Sequence, residues 1–366
     1  MQKERSLGLD LLRAFSALLV VAIHCFPLCA GVNREPFALS PLPDLFFYAL
    51  ALCGVNCFGL ISGYVGYREE PGPLRLSALL GIWLQLVFYR VLFLLLPWKL
   101  GLSGQAVSLP EILLPLSKRV NWYISAYFEM MLFAPLIQRA VRGCSRRENA
   151  RICLGLFSLL ALLLPLRFAM DCDPLLLQDG YSWMWLGVLY FWGCSLKKFG
   201  WFQNTPLRRL LAVLAGSLLL TALWRALASA PALAPRLGGW ARLFYVYPSP
   251  TLVLASGCLL LLFTRLQPPE WLHGPIRAAA SAALGVFLLH TTVWYWLIEP
   301  GLAALPPARF GTLRAFSAAL LIALPCALID LIRGRLFALL RIRQLTDRVQ
   351  ARLLAALSRL SERLLP

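Results

Sequence analysis

Apolar blocks of about 20 residues recur along the whole chain, the length a helix needs to cross a bilayer core of roughly 30 Å. Ten can be drawn, at roughly 7–28, 43–65, 76–97, 121–138, 152–168, 181–196, 207–228, 246–264, 278–298 and 311–332. In lipid, a backbone polar group has no water to turn to, so such blocks fold as helices that satisfy their own peptide groups. The expected fold class is all-α: a polytopic membrane bundle of about ten transmembrane helices. Composition excludes a soluble fold. Hydrophobic residues make up 60% of the chain and charged ones 14%, with a mean hydropathy of +0.71, whereas ordinary domains carry about 25% charged residues.

The net charge of +18 would suggest nucleic acid as partner in a soluble protein. Its distribution points elsewhere. With the N-terminus inside, 24 of the 35 Lys and Arg fall on the inner side: around Lys3 and Arg13, at Arg68 and Arg75, in an Arg139–Arg151 loop, and beyond residue 332. That excess sets orientation and faces an anionic leaflet. The expectation is a cell-membrane protein with both termini cytoplasmic, membrane lipids as partners and no nucleic acid. Residues 1–332 form the transmembrane domain. Residues 333–366 form a basic tail in which Val349, Leu353, Leu357, Leu360 and Leu364 repeat at helical spacing beside an arginine stripe, as in a helix lying in the interface. The N-terminal stretch carries Asp10 and Arg13 and does not read as a cleaved signal peptide. Most of the ten cysteines sit inside apolar runs with no C-x-x-C spacing, and they read as small buried hydrophobes rather than metal ligands.

Nucleotide-loop, nucleophile-elbow, zinc-protease and H-x-x-x-x-D signatures are all missing. The chemistry must therefore lie in ionisable groups at membrane depth, which are costly and functional by default. The first span places Asp10 and Arg13 near its start and His24 near its end. Eleven residues return to within about 20° of the starting face and rise about 16 Å, so Arg13 and His24 share one face. Asp10, three residues before Arg13, can pair with it. Arg90, Glu129 and His290 lie at comparable depths in later spans, and Trp122 is one heptad before Glu129. Turned inward, they would line a wet cavity; a purely structural Arg90–Glu129 pair is the alternative.

These residues resemble a family. Asp10-Leu-Leu-Arg13 with His24, then Asn56-Cys-Phe-Gly-Leu-Ile-Ser62-Gly63-Tyr64, look like the opening of the acyltransferase 3 family of multi-pass membrane proteins. Asn121-Trp-Tyr-Ile-Ser-Ala-Tyr127 with Pro135, and Leu284-Gly-Val-Phe-Leu-Leu-His290, are similar to later motifs of its polysaccharide O-acyltransferase branch. The resemblance spans about residues 5–298, with Phe287 where the family usually has Tyr and a thin basic run after the second helix. It implies transfer of an acyl group, most often acetyl, from cytoplasmic acyl-CoA to a hydroxyl of a sugar, polysaccharide or lipid-linked glycan precursor. No permanently bound cofactor is expected; acyl-CoA is the donor substrate. Arg13 and Arg75, with Asp10 behind Arg13, suit the CoA phosphates. His24 is the expected general base, with Glu129 and His290 as further catalytic candidates. Ser62, Tyr64, Arg90, Trp122 and Tyr127 are the substrate-side candidates. A secondary transporter or flippase is the main rival reading, and an idle scaffold the second.

Overall fold

The computed structural model describes residues 6–32, 40–70, 72, 74–101, 108–114, 116, 122–173, 175–291, 293–304 and 311–364. Among them, Leu7–Ala30 is α1, Leu42–Gly66 is α2, Leu76–Lys99 is α3, Trp122–Gly143 is α4, Arg146–Met170 is α5 and Trp183–Phe199 is α6. Then follow α7 (Leu207–Ala228), α8 (Pro250–Thr264), α9 (His273–Leu289), α10 (Val293–Ala304), α11 (Gly311–Leu339) and α12 (Ile342–Leu364). The described residues contain no strand. The helices α1, α2, α3, α5, α7 and α11 and the stretch Glu270–Leu289 are long and apolar enough to cross a membrane; α8 is a shorter apolar helix. Among the described residues, seven stretches thus meet the length and hydropathy of a span, against the ten expected; the expected spans 121–138, 181–196 and 246–264 are largely helical but are not among the seven.

Local signals explain most boundaries. Ser6 starts α1 by accepting the Leu9 N–H at 3.4 Å, and Gly31 ends it in the left-handed region at φ 68°. Three expectations are corrected. The expected Arg139–Arg151 loop is helical at both ends: Arg139 and Arg142 close α4, and Arg146, Arg147 and Arg151 open α5. The cause is a capping box, in which Ser145 accepts the Glu148 N–H at 3.3 Å and Glu148 accepts the Ser145 N–H at 2.8 Å. The expected span 278–298 breaks after Leu289, so His290 caps one helix and α10 is another. The last span runs on to Leu339 before the tail helix begins at Ile342.

Helix α1 is the hub, packed against α2, α8, α9 and α11, while α2 also packs on α6, α7 and α8. The α2–α6 crossing is set by glycine. A Cβ on Gly63 would collide with the Tyr190 carbonyl, and one on Gly193 with the Leu60 carbonyl, so the backbones touch, as is usual where lipid provides no hydrophobic drive between helices. Buried Asn56 cross-links this core. Its amide donates to the Tyr247 carbonyl at 2.9 Å and accepts the Trp185 indole N–H at 3.0 Å. Cys25, Cys53, Cys57, Cys194, Cys258 and Cys326 are buried free thiols, in line with their apolar surroundings, and Cys153 is partly buried.

Candidate functional site

At the Arg13 end of α1, the bundle encloses a cavity of about 240 Å³. Asp10, almost fully buried, holds the Arg13 guanidinium at 3.0 Å, the i,i+3 pairing the sequence suggests. Arg13 also lines the cavity. Ser62 from α2 and Tyr127 from α4 stand beside it and lie within hydrogen-bonding reach of each other; Ser62 also donates to the Phe58 carbonyl at 2.7 Å. Arg75 comes from the segment just before α3. Four residues expected at the site, Arg13, Ser62, Arg75 and Tyr127, thus meet in one cavity.

The cavity also has members that were not anticipated. Arg68, Arg142, Gln138 and Tyr190 complete its wall, and no Asp or Glu lines it among the described residues. Arg142 donates to the Arg68 carbonyl at 3.2 Å, and Gln138 donates to the Tyr190 hydroxyl at 2.7 Å. Lys198 ties down the end of α4 that carries Arg142: its ammonium donates to the carbonyls of Val141, Arg142 and Cys144 at 2.9–3.0 Å, where the helix dipole is negative. Burial and the neighbouring Arg68 both press the Arg75 guanidinium below its ordinary pKa. Four guanidinium groups without a lining carboxylate make a site for an anion of several charges, such as a phosphate or diphosphate. Arg68 and Arg142 were visible in sequence only as members of the inner basic count.

At the other end of α1, His24 is accessible and its ring centre lies 5.0 Å from that of buried His290. The break after Leu289 dictates the chemistry of His290. Its Nδ1 lies 2.6 Å from the Phe287 carbonyl and 3.2 Å from the Val286 carbonyl. Carbonyl oxygens only accept, so Nδ1 carries the proton and Nε2 holds a lone pair. That Nε2 is buried and has no hydrogen-bond partner among the described residues.

A column of rings separates the two ends. His290 packs at a tilt against Phe287 at 5.7 Å, Phe287 at a tilt against Tyr123 at 5.2 Å, and Tyr123 stacks against Tyr127 of the arginine cavity at 6.4 Å. Trp122 joins this column at Tyr123 (5.5 Å) and also meets Tyr181 at 4.4 Å. Its motif neighbour Asn121 lies outside the described residues.

Three expected residues lie apart from these clusters. Tyr64 is buried on the α6 side of α2 under the Lys197 ammonium, 5.0 Å from its ring centre. Arg90 is on α3, immediately before a π-helical turn at Val91–Leu95, and its Nη2 is buried without a hydrogen bond among the described residues. Glu129 is exposed on α4 along with Leu132, Phe133 and Leu136, and makes no ion pair with Arg90 among the described residues. The expectation that Glu129 turns inward with Arg90 and the histidines is therefore corrected. Side chains such as Tyr123, Ala126, Met130 and Ala134 take the packed face of α4, leaving Glu129 on the opposite one.

Among the described residues no group of three or more His, Cys, Asp or Glu could hold a metal ion. No curated protein and no solved structure matches the chain. The family described as the acyltransferase domain matches residues 6–329, nearly nine-tenths of the chain. Its span takes in both ends of α1, the ring column and all four arginines of the cavity, and the chain belongs to the acyltransferase 3 family.

Proposed function

We propose that this membrane acyltransferase moves an acetyl or similar acyl group from cytoplasmic acyl-CoA to a hydroxyl of a cell-surface sugar, polysaccharide or lipid-linked glycan precursor. The observation that carries the reading is the layout of α1. An acid-free cavity of four arginines lies at one end of this helix and a pair of imidazoles at the other, about 16 Å apart on a shared face. An acyl-CoA has the same layout, with phosphates at one end and a thioester at the end of an extended arm. Both termini are taken as cytoplasmic from the basic-residue bias, which puts the arginine cavity on the side where acyl-CoA is found.

In this mechanism the arginines hold the CoA phosphates, and the arm runs along α1 past Ser62, Tyr127 and the ring column. His24 takes the proton from the acceptor hydroxyl as its oxygen attacks the thioester carbonyl. The tetrahedral intermediate collapses with cleavage of the C–S bond, and the His24 imidazolium returns its proton to the departing CoA thiolate. Products are an ester and CoA–SH, with no redox change. His290, its proton committed to backbone carbonyls, presents only a lone pair at Nε2. It suits the role of acceptor that orients the neighbouring imidazole or the incoming hydroxyl. Trp122 is assigned to the acceptor side, where indole faces are suited to sugars.

The test is mass spectrometry of surface glycans from cells with and without the gene, complemented by the wild-type chain and by His24→Ala. The reading expects an acyl mass increment that is lost with the gene, restored by wild type and not by His24→Ala. Glycans unchanged by deletion, in cells shown to express the protein, would overturn it.

A further inference from the structure

A second and larger cavity, of about 780 Å³, opens between α3, α11 and α12 and shares Arg68 and Arg75 with the first. The two spaces thus adjoin at those arginines. Its far wall is α12, which lies beyond the matched family span. The apolar stripe of α12, including Leu345, Leu353 and Leu357, is exposed, while its polar edge faces α3. There Gln350 accepts the Ser77 N–H at 2.7 Å and Thr346 is buried. A helix that only rested on a membrane would need no such docking contact.

The groove adds two guanidinium groups to the shared pair. Arg333 is held from behind by buried Asp330, at 2.8 Å, and lies 4.8 Å from the Phe337 ring centre. Asp330 is itself fixed by Gln85 at 2.8 Å and by the Tyr89 hydroxyl. Arg343 is almost fully exposed on α12, one turn from Asp347 at 4.0 Å on the same face. An aromatic face under a guanidinium, beside small residues such as Gly81 and Gly334, offers a slot for a flat heterocycle with phosphates alongside. The first cavity is too small for a whole nucleotide-bearing thioester.

We infer that the groove between α3, α11 and the C-terminal helix binds the phosphorylated adenosine end of the acyl-CoA donor, with Arg343 and Arg333 on its phosphates and Phe337 against the base. This rests on the donor reading above. It makes α12 part of the substrate site rather than a simple anchor.

The experiment compares two donors on the purified full-length chain: acetyl-CoA, and S-acetylpantetheine, which has the same arm but no nucleotide. Arg343→Ala, a fully exposed change that leaves the fold intact, should raise KM for acetyl-CoA about tenfold, the scale of one lost charge-assisted bond. It should leave kcat for acetyl-CoA and both constants for S-acetylpantetheine unchanged. Phe337→Leu should act the same way. Equal effects on the two donors, or none on either, would overturn the assignment. Adenosine 3′,5′-bisphosphate titrated by calorimetry separates this inference from its premise. Binding lost in Arg343→Ala, in a protein that transfers from neither donor, would keep the nucleotide groove and remove the acyltransferase mechanism. Transfer from acetyl-CoA with nucleotide binding indifferent to Arg343 would do the reverse.

Discussion

In the proposed mechanism Arg13 holds donor phosphates from the cavity wall, with Asp10 fixing its guanidinium at 3.0 Å. Arg13→Ala should therefore weaken acyl-CoA binding about tenfold or more while folded protein still reaches the membrane. Arg13→Lys should recover only part of the affinity, because an ammonium cannot bind bidentately. Unchanged affinity in the alanine variant, measured by calorimetry, would show that Arg13 serves only Asp10. His24 must be neutral to accept a proton, so kcat should rise with pH through the histidine range, near 6.5 for an unperturbed ring, and then level off. His24→Gln should lower turnover by about 10²–10⁴-fold with acyl-CoA binding intact. Near wild-type transfer by well-folded variant would move the base role to His290. Asn56 is the structural contrast. Asn56→Ala would strand the Trp185 indole N–H and the Tyr247 carbonyl in the core, at a cost of about 1–3 kcal/mol for each stranded group. Its melting temperature in detergent should fall, while KM for the donor in the surviving protein should hold.

The elements owe their positions to close contacts rather than to general greasiness. At the α2–α6 crossing the glycines let two backbones meet, and this crossing brings Tyr190 of α6 to the wall shared with Ser62 of α2. Gly63→Ala should push the helices apart at a cost of about 1–3 kcal/mol, lowering both melting temperature and donor affinity. Gly143→Ala, where an added methyl meets nothing within 4 Å, is the matched control and should change neither. A Gly63→Ala protein as stable and active as wild type would show that the crossing relaxes freely. At the end of α4, Lys198 and the Ser145–Glu148 box convert what the charge pattern suggests to be a loop into two rigid helix ends. Arg142 is thereby aimed at the cavity.

For the whole molecule, the mechanism demands one orientation: the arginine cavity must face the compartment that holds acyl-CoA. Tags at both termini should resist protease added to intact cells, and cysteines introduced at Arg147 should be labelled only after permeabilisation. An externally cleavable C-terminal tag would invert the bundle and take the donor assignment with it. The same orientation places α12 on the inner face, its exposed Leu345, Leu353 and Leu357 towards lipid and its polar edge towards the donor.

Periodicity and length determine the membrane bundle directly, since 20-residue apolar blocks have no other way to satisfy their backbones. The Arg13–His24 axis was legible for a related reason. Both residues belong to one helix, and 3.6 residues per turn fixes their shared face without reference to any neighbour. Asp10 follows from the same local rule. Other features depend on which helices touch, and apolar sequence says little about that. Glu129 illustrates the limit: large apolar residues occupy both the packed and the outer side of α4, and the acid lies among exposed Leu132, Phe133 and Leu136. Arg68, Gln138, Arg142 and Tyr190 enter one cavity from two helices and a loop, a convergence that spacing along the chain cannot express. The state of His290 was equally hidden, because it hangs on a helix break that commits Nδ1 to two backbone carbonyls. Local physics determined the helices and the axis of α1; only the tertiary packing decided which side chains face that axis.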